Sequence, residues 1–166
     1  MKNRVTRLGL MMAGLIILDQ VTKYLVRANF EWGESIPIIK GFFNLTYVRN
    51  PGAAFGFLAE AHSSIRRPLF LFLPVLACLW LLWLIWTSRS KPLILPLSYT
   101  LILTGAIGNL IDRFSFGYVV DFLDFHIKSS HFPAFNVADS CISIAAGLLV
   151  LDFLLTLKKN NASHPA

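Results

Sequence analysis

The residues best able to do chemistry are acids, amides and cations that interrupt otherwise apolar sequence. Asp19, Gln20 and Lys23 close one apolar run, Asn109, Asp112 and Arg113 close another, and Asp139 opens a third. Asp121 and Asp124 lie in the connection between the last two. Two carboxyl groups at one site need no cofactor to hydrolyse a peptide bond: one carboxylate activates water while the other, protonated, polarises the carbonyl. A serine or cysteine nucleophile fits less well. Ser140 and Cys141 beside Asp139 lack an obvious histidine partner, and His126 and His131 stand in a polar stretch. A metal held by His126, His131, Asp121 and Asp124 is conceivable, but no H-E-x-x-H helix or comparable ligand spacing accompanies them. The expectation is a carboxylate pair with no metal and no cofactor.

Each polar residue also has a plainer reading. Asp19 and Lys23 are four apart and can neutralise each other on one helix face. Asn136 and Asp139 have the spacing of a capping box. Asp112 and Arg113 can be interfacial residues ending a helix, and Gly105 and Gly108 can let helices approach closely. Asp152, near Lys158 and Lys159, suits a snorkelling or pairing role. Taken one by one these readings suffice; the gathering of so many polar groups at one level does not follow from them.

That level is set by the apolar runs. The chain is 55% hydrophobic and 14% charged, where a soluble domain is about a quarter charged. Pro68–Trp86 and Pro92–Ile111 carry no charge, and each is long enough to cross a hydrocarbon core of about 30 Å. Residues 8–26 and 137–157 complete four predicted spans in a single membrane domain covering 1–166. Lys2, Arg4 and Arg7 before the first run resemble a signal peptide, but no small-x-small cleavage site follows, so it reads as an uncleaved span. Cys78 and Cys141 fall within spans and read as buried small hydrophobes. Val75-Leu76-Ala77-Cys78 resembles a lipidation box only faintly, since it sits inside the second span.

The N-terminal tail, the loop Thr87–Lys91 and the C-terminal stretch carry Lys2, Arg4, Arg7, Arg89, Lys91, Lys158 and Lys159 and no acid. The positive-inside rule puts these segments in the cytoplasm. The net charge of +6 is thereby a topology signal and calls for no nucleic acid. The connections 27–67 and 112–136 then lie outside, and the polar cluster faces them. Ile36–Ile39 and Phe42–Val48, broken by Gly33, Gly41 and Gly52, predict a small β-sheet on that surface between helices 1 and 2. The expected fold class is an all-α membrane protein of four transmembrane helices with this small sheet.

Five ordered blocks carry a family resemblance. Asp19-Gln20-Val21-Thr22-Lys23, Arg49-Asn50-Pro51-Gly52-Ala53-Ala54-Phe55, Gly108-Asn109-Leu110-Ile111-Asp112-Arg113, Val119-Val120-Asp121-Phe122 and Phe135-Asn136-Val137-Ala138-Asp139-Ser140 together closely resemble bacterial lipoprotein signal peptidase, the type II signal peptidase. The resemblance implies a four-span aspartic endopeptidase of the bacterial inner membrane with its active site facing the periplasm. Its substrates would be prolipoproteins whose lipobox cysteine carries diacylglycerol, cut just before that cysteine. It places the catalytic dyad on Asp121 and Asp139. The supporting residues would be Asp19, Lys23, Asn50, Gly108, Asn109, Asp112, Arg113 and Asn136. Pro51, Gly56 and Thr104 depart mildly from the family pattern and touch only the shape of the substrate groove.

Membrane lipid is the other expected partner, and a monomer is the expected state. Asp139, in a helix's first turn, is expected to be the resting anion. Asp121, beside Val119, Val120 and Phe122, is expected to be the resting acid, and apolar Phe and Leu of the outer connections are candidates for a lid. A small transporter or proton relay also concentrates intramembrane carboxylates, but predicts them near the midplane on a broken span. A scaffold protein, with polar residues only pinning helices, is a further alternative.

Overall fold

The computed structural model describes residues 2–52 and 63–163. Four helices are long and apolar enough to cross a membrane: α1 (Lys2–Asn29), α2 (Ser63–Ser88), α3 (Ile94–Phe116) and α4 (Val137–Ser163). Their spanning parts, Asn3–Asn29, Pro68–Ser88, Ile94–Phe116 and Val137–Asn160, all exceed the ~20 residues that a bilayer core requires. α2 runs unbroken through Pro74. α3 continues through Phe116, so Asp112 and Arg113 belong to its last turns. It ends at Gly117, whose left-handed φ of 78° lets its N–H cap the Arg113 carbonyl at 3.0 Å.

α3 is the axis of the bundle. It packs against each of the other three helices, and 56% of its apolar window is buried, against 6–11% for the others. Close approach explains its glycines. A Cβ at Gly105 would overlap the Ala138 carbonyl oxygen and Ile142, and one at Gly108 would stand 2.6 Å from an Asp19 carboxylate oxygen. Gly105→Val is expected to cost about 1–3 kcal/mol as overpacking and to lower the melting temperature of the detergent-purified protein. Gly14, with open space around it, should accept alanine without loss.

The expected sheet is present and draws on both long connections. β1 (Ser35–Ile39) and β2 (Phe43–Asn50) come from the first, β3 (Val119–Ile127) and β4 (Ser130–His131) from the second, in antiparallel order β1-β2-β3-β4. The second pair is less apparent in the sequence because β3 carries Asp121, Asp124 and His126 among its apolar residues. Alternation along β3 sends Val120 and Phe122 into a core with Val26 and Tyr47, which seats the sheet on the ends of α1 and α4 through Phe30 and Val137. Asp121 points the other way. Backbone bonds between Leu123 and Phe135 then fold the chain back, so that Asn136 and the start of α4 meet β3.

Candidate active site

Asp121 is 2% exposed. Its two carboxylate oxygens accept from Asn136 Nδ2 at 2.8 Å and Asn50 Nδ2 at 3.0 Å. Asn50 reaches it because β2 pairs with β3, Val48 opposite Asp121. The Asn50 amide oxygen accepts the Gly52 N–H at 3.0 Å, so both ends of that amide are occupied.

Asp139 stands in the first turn of α4. Its N–H donates to Asn136 Oδ1 at 2.9 Å and its carboxylate accepts the Asn136 N–H at 3.3 Å, a reciprocal capping box. Asn109 Nδ2 donates to its other oxygen at 2.7 Å. Asn136, fully buried, therefore touches both aspartates: its Nδ2 reaches the Asp121 carboxyl, and its backbone N–H and Oδ1 meet the Asp139 carboxyl and N–H. Cap and site are the same residue.

Beneath the dyad lies an ionic layer. Lys23 Nζ reaches Asp19 at 2.9 Å, Asp112 at 3.2 Å and Asn109 Oδ1 at 3.0 Å, with all three charged groups at most 2% exposed. An ammonium has three protons, and each finds a partner. Lys23 and Asn136 both donate to Asn109 Oδ1, which forces the Asn109 NH2 toward Asp139. Asp19 accepts the Ala138 N–H at 2.9 Å, a free donor at the positive end of α4. Asp112 accepts the Val120 N–H at 3.0 Å. Each carboxylate thus fixes the backbone next to one member of the dyad.

Gln20, grouped with Asp19 and Lys23 by its position but absent from the supporting residues that the resemblance implies, belongs to this layer. Its Nε2 contacts Asp19, Asp112 and the Gly108 carbonyl at 3.1–3.2 Å. Its place beside Asp19 in the first block was the available signal. Arg113 donates to the Gly52 carbonyl at 3.0 Å and the Asn109 carbonyl at 3.3 Å. Its Nε is buried and makes no hydrogen bond among the described residues. A cleft of about 320 Å³ opens beside it, lined in part by Pro51, Phe70, Leu71 and Phe114.

The other candidates lie apart. Asp124 pairs with His131 at 2.8 Å and Asn44 at 2.9 Å, and His126 stacks on His131. Burial works to raise the Asp124 carboxyl, but these hydrogen bonds outweigh it and hold the group below the usual carboxylate range. No group of three metal-ligating side chains occurs among the described residues. Ser140 Oγ bonds the Asn136 carbonyl, Cys141 packs in the helix core, and Asp152 lies thirteen residues along α4 from Asp139, about 20 Å at helical rise. Ala53, Ala54, Phe55 and Gly56, with the apolar residues nominated for a lid around them, lie outside the described residues.

Burial, and then repulsion from Asp139, raise the Asp121 carboxyl to about 7 against the opposing bonds from Asn50 and Asn136. Lys23, Asn109, Asn136, Asp19 and Asp112 hold the Asp121 and Asp139 carboxyls and the backbone beside them in place.

The chain is similar to known proteins. The family described as Signal peptidase (SPase) II matches residues 11–155. The lipoprotein signal peptidase of Syntrophus aciditrophicus is 46% identical over 155 residues, 93% of this chain and 96% of the relative. That of Shewanella sediminis is 51% identical over 150 residues, 90% and 84% of the two chains. A solved bacterial membrane enzyme superposes with a TM-score of 0.81 at 31% identity, covering 98% of this chain and 95% of the other. Fold and relatives together define a multi-span membrane peptidase. The chain belongs to the signal peptidase II family.

Proposed function

We propose that this protein is an aspartic endopeptidase that cleaves diacylglyceryl-modified prolipoproteins immediately before the lipidated cysteine, with Asp121 and Asp139 as its dyad. The observation that carries the reading is Asn136: one buried residue contacts both carboxyl groups and holds them at the end of the bundle under the sheet. Asp121 enters the reaction protonated and Asp139 ionised. Asp139 takes a proton from water as the water oxygen bonds to the scissile carbonyl carbon, while Asp121 gives its proton to the carbonyl oxygen. The tetrahedral intermediate collapses as Asp139 returns the proton to the leaving amine. The carbonyl oxygen's proton returns to Asp121. A new carboxyl-terminated signal peptide and a free cysteine amine result. The buried Arg113 Nε, without a hydrogen bond among the described residues, lies beside the cleft and suits a substrate or lipid carbonyl. Asn50, with both amide ends committed, positions Asp121.

The membrane is the bacterial inner membrane, with both termini cytoplasmic and the sheet end of the bundle periplasmic, and the protein acts as a monomer. Residues 1–166 form one peptidase domain. A transporter would place its acids near the midplane, whereas this dyad lies at the sheet end. Cleavage of a diacylglyceryl-modified precursor by the purified protein, lost in Asp121→Asn and Asp139→Asn, tests the assignment.

The pH profile provides a further test. Asp121 acts as the acid, so the rate should fall as pH rises through about 7, with one proton lost. Because Asp139 contributes to that raised value, Asp139→Asn should move the Asp121 titration downward when it is followed by carbon-labelled carboxyl NMR. An Asp121 that titrates in the ordinary carboxylate range in the intact protein would remove it as the acid.

A further inference from the structure

Two arginines where the sheet meets the helices form a site outside the dyad and its supports. Arg27 is in the last turn of α1, and its guanidinium lies 3.7 Å over the Phe116 ring that ends α3. Phe116 and Tyr118 are neighbours, with ring centres 5.9 Å apart. Arg49, on β2, lies 5.1 Å from the Tyr118 ring and 5.3 Å from that of Trp32, and its Nε donates to the Tyr47 hydroxyl at 3.0 Å. Both charges act on the same pair of tyrosines. Both arginines are exposed, and among the described residues neither has a carboxylate within ion-pair distance. Arg89 at the opposite end of the bundle also covers a tryptophan ring, but the arginine beside it, Arg4, is committed to the Arg89 and Lys91 carbonyl oxygens.

The level of this cluster is set by two helix ends. The spanning parts of α1 and α3 finish at Asn29 and Phe116, so Arg27 and Phe116 stand where hydrocarbon gives way to headgroups. Basic and aromatic side chains belong at that boundary. Below Arg27, and within about 80° of it around the helix, α1 presents Tyr24 and Ile17, each about two-thirds exposed. A ligand here meets two guanidinium groups above, one over Phe116 and one among Trp32, Tyr47 and Tyr118, with exposed helix surface beneath. Guanidinium forks match phosphate oxygens, and basic pockets between helices at a membrane surface take lipid headgroups.

We propose that Arg27 and Arg49, braced by Phe116, Tyr118 and Trp32, form a binding site for the phosphate of an anionic membrane phospholipid whose acyl chains lie along α1. The reading needs only that the chain is embedded in a membrane, and it stands or falls independently of the dyad. A diacylglyceryl group on a cysteine carries no phosphate, so the occupant is a bilayer lipid distinct from the substrate's own. Two cations with no carboxylate within ion-pair distance among the described residues favour a headgroup of net negative charge over one that brings its own ammonium.

The test is native mass spectrometry of the full-length protein released from mixed micelles holding equal phosphatidylglycerol and phosphatidylcholine. The intact protein is expected to retain one phosphatidylglycerol with a preference of about tenfold or more, since each basic residue at a membrane surface is worth roughly fivefold. Arg27→Gln/Arg49→Gln should bring that ratio close to one, and Arg89→Gln should leave it unchanged. Equal retention of the two lipids by the unaltered protein overturns the proposal, whatever the double variant does to folding. So does a folded double variant that keeps the preference. A third arm adds inorganic phosphate: displacement of phosphatidylglycerol at tens of millimolar would make the occupant a soluble anion and reject the lipid.

Discussion

Asp121→Asn and Asp139→Asn should each leave a folded protein whose cleavage of lipidated precursor is lower by at least about 10³-fold, toward the upper end of what a positioned acid or base contributes. Asparagine keeps the shape but not the acid-base chemistry. It also presents an NH2 where a carboxylate accepted on both sides. At Asp121 the donors are Asn50 and Asn136; at Asp139 they are Asn109 and the Asn136 N–H. One donor in each case meets another donor, which should cost about 1–3 kcal/mol of stability. Chemistry and folding are separated by melting curves and by binding of uncleaved precursor, which should both survive. Asp124→Asn is the matched comparison. It loses the His131 pairing at the far part of the sheet and should cleave normally. Full cleavage by either dyad variant would reject the assignment.

The gathering of polar groups around Asp121 and Asp139 is legible in the sequence because they sit in short blocks and the spans put those blocks at one level. The polar groups at that level do different work, which only the packing separates. Asn136 reads as a helix cap from spacing alone, and it is one; that its Nδ2 also reaches Asp121 depends on the Leu123–Phe135 bridge, which no local pattern announces. Asp19 and Lys23 read as an i,i+4 pair, and the third member, Asp112, arrives from a helix ninety residues away because Gly108 lets α3 approach Asp19. The sheet shows the same limit. β1 and β2 announce themselves through β-prone residues broken by Gly33, Gly41 and Gly52. β3 is less visible because its Asp121, Asp124 and His126 are polar for reasons that appear only once Asn50, Asn136, Asn44 and His131 are in place. Long-range pairing hides in sequence; periodicity and caps do not.

Lys23→Met should be the most damaging change outside the dyad, costing about 3–5 kcal/mol, the range for breaking a buried ion pair from one side. It strands Asp19 and Asp112, each 1% exposed, with no cation between them. Cleavage should fall as well, because Asn109 Oδ1 loses one of its two donors and the NH2 aimed at Asp139 is no longer held. Restoring charge balance separates the two effects. In Lys23→Met/Asp19→Asn the amide oxygen can still accept the Ala138 N–H, and one buried negative charge is gone. Thermal stability should recover most of the loss while cleavage remains depressed. Lys23→Met/Asp112→Asn should behave alike, its oxygen still accepting the Val120 N–H. Residues in one ionic network couple by up to about 3 kcal/mol, so the double variant must be more stable than the sum of its parts. Simple additivity of the two single losses would mean that Lys23 and the carboxylates act separately. Recovery of stability together with cleavage would mean that Lys23 balances charge but does not orient Asn109.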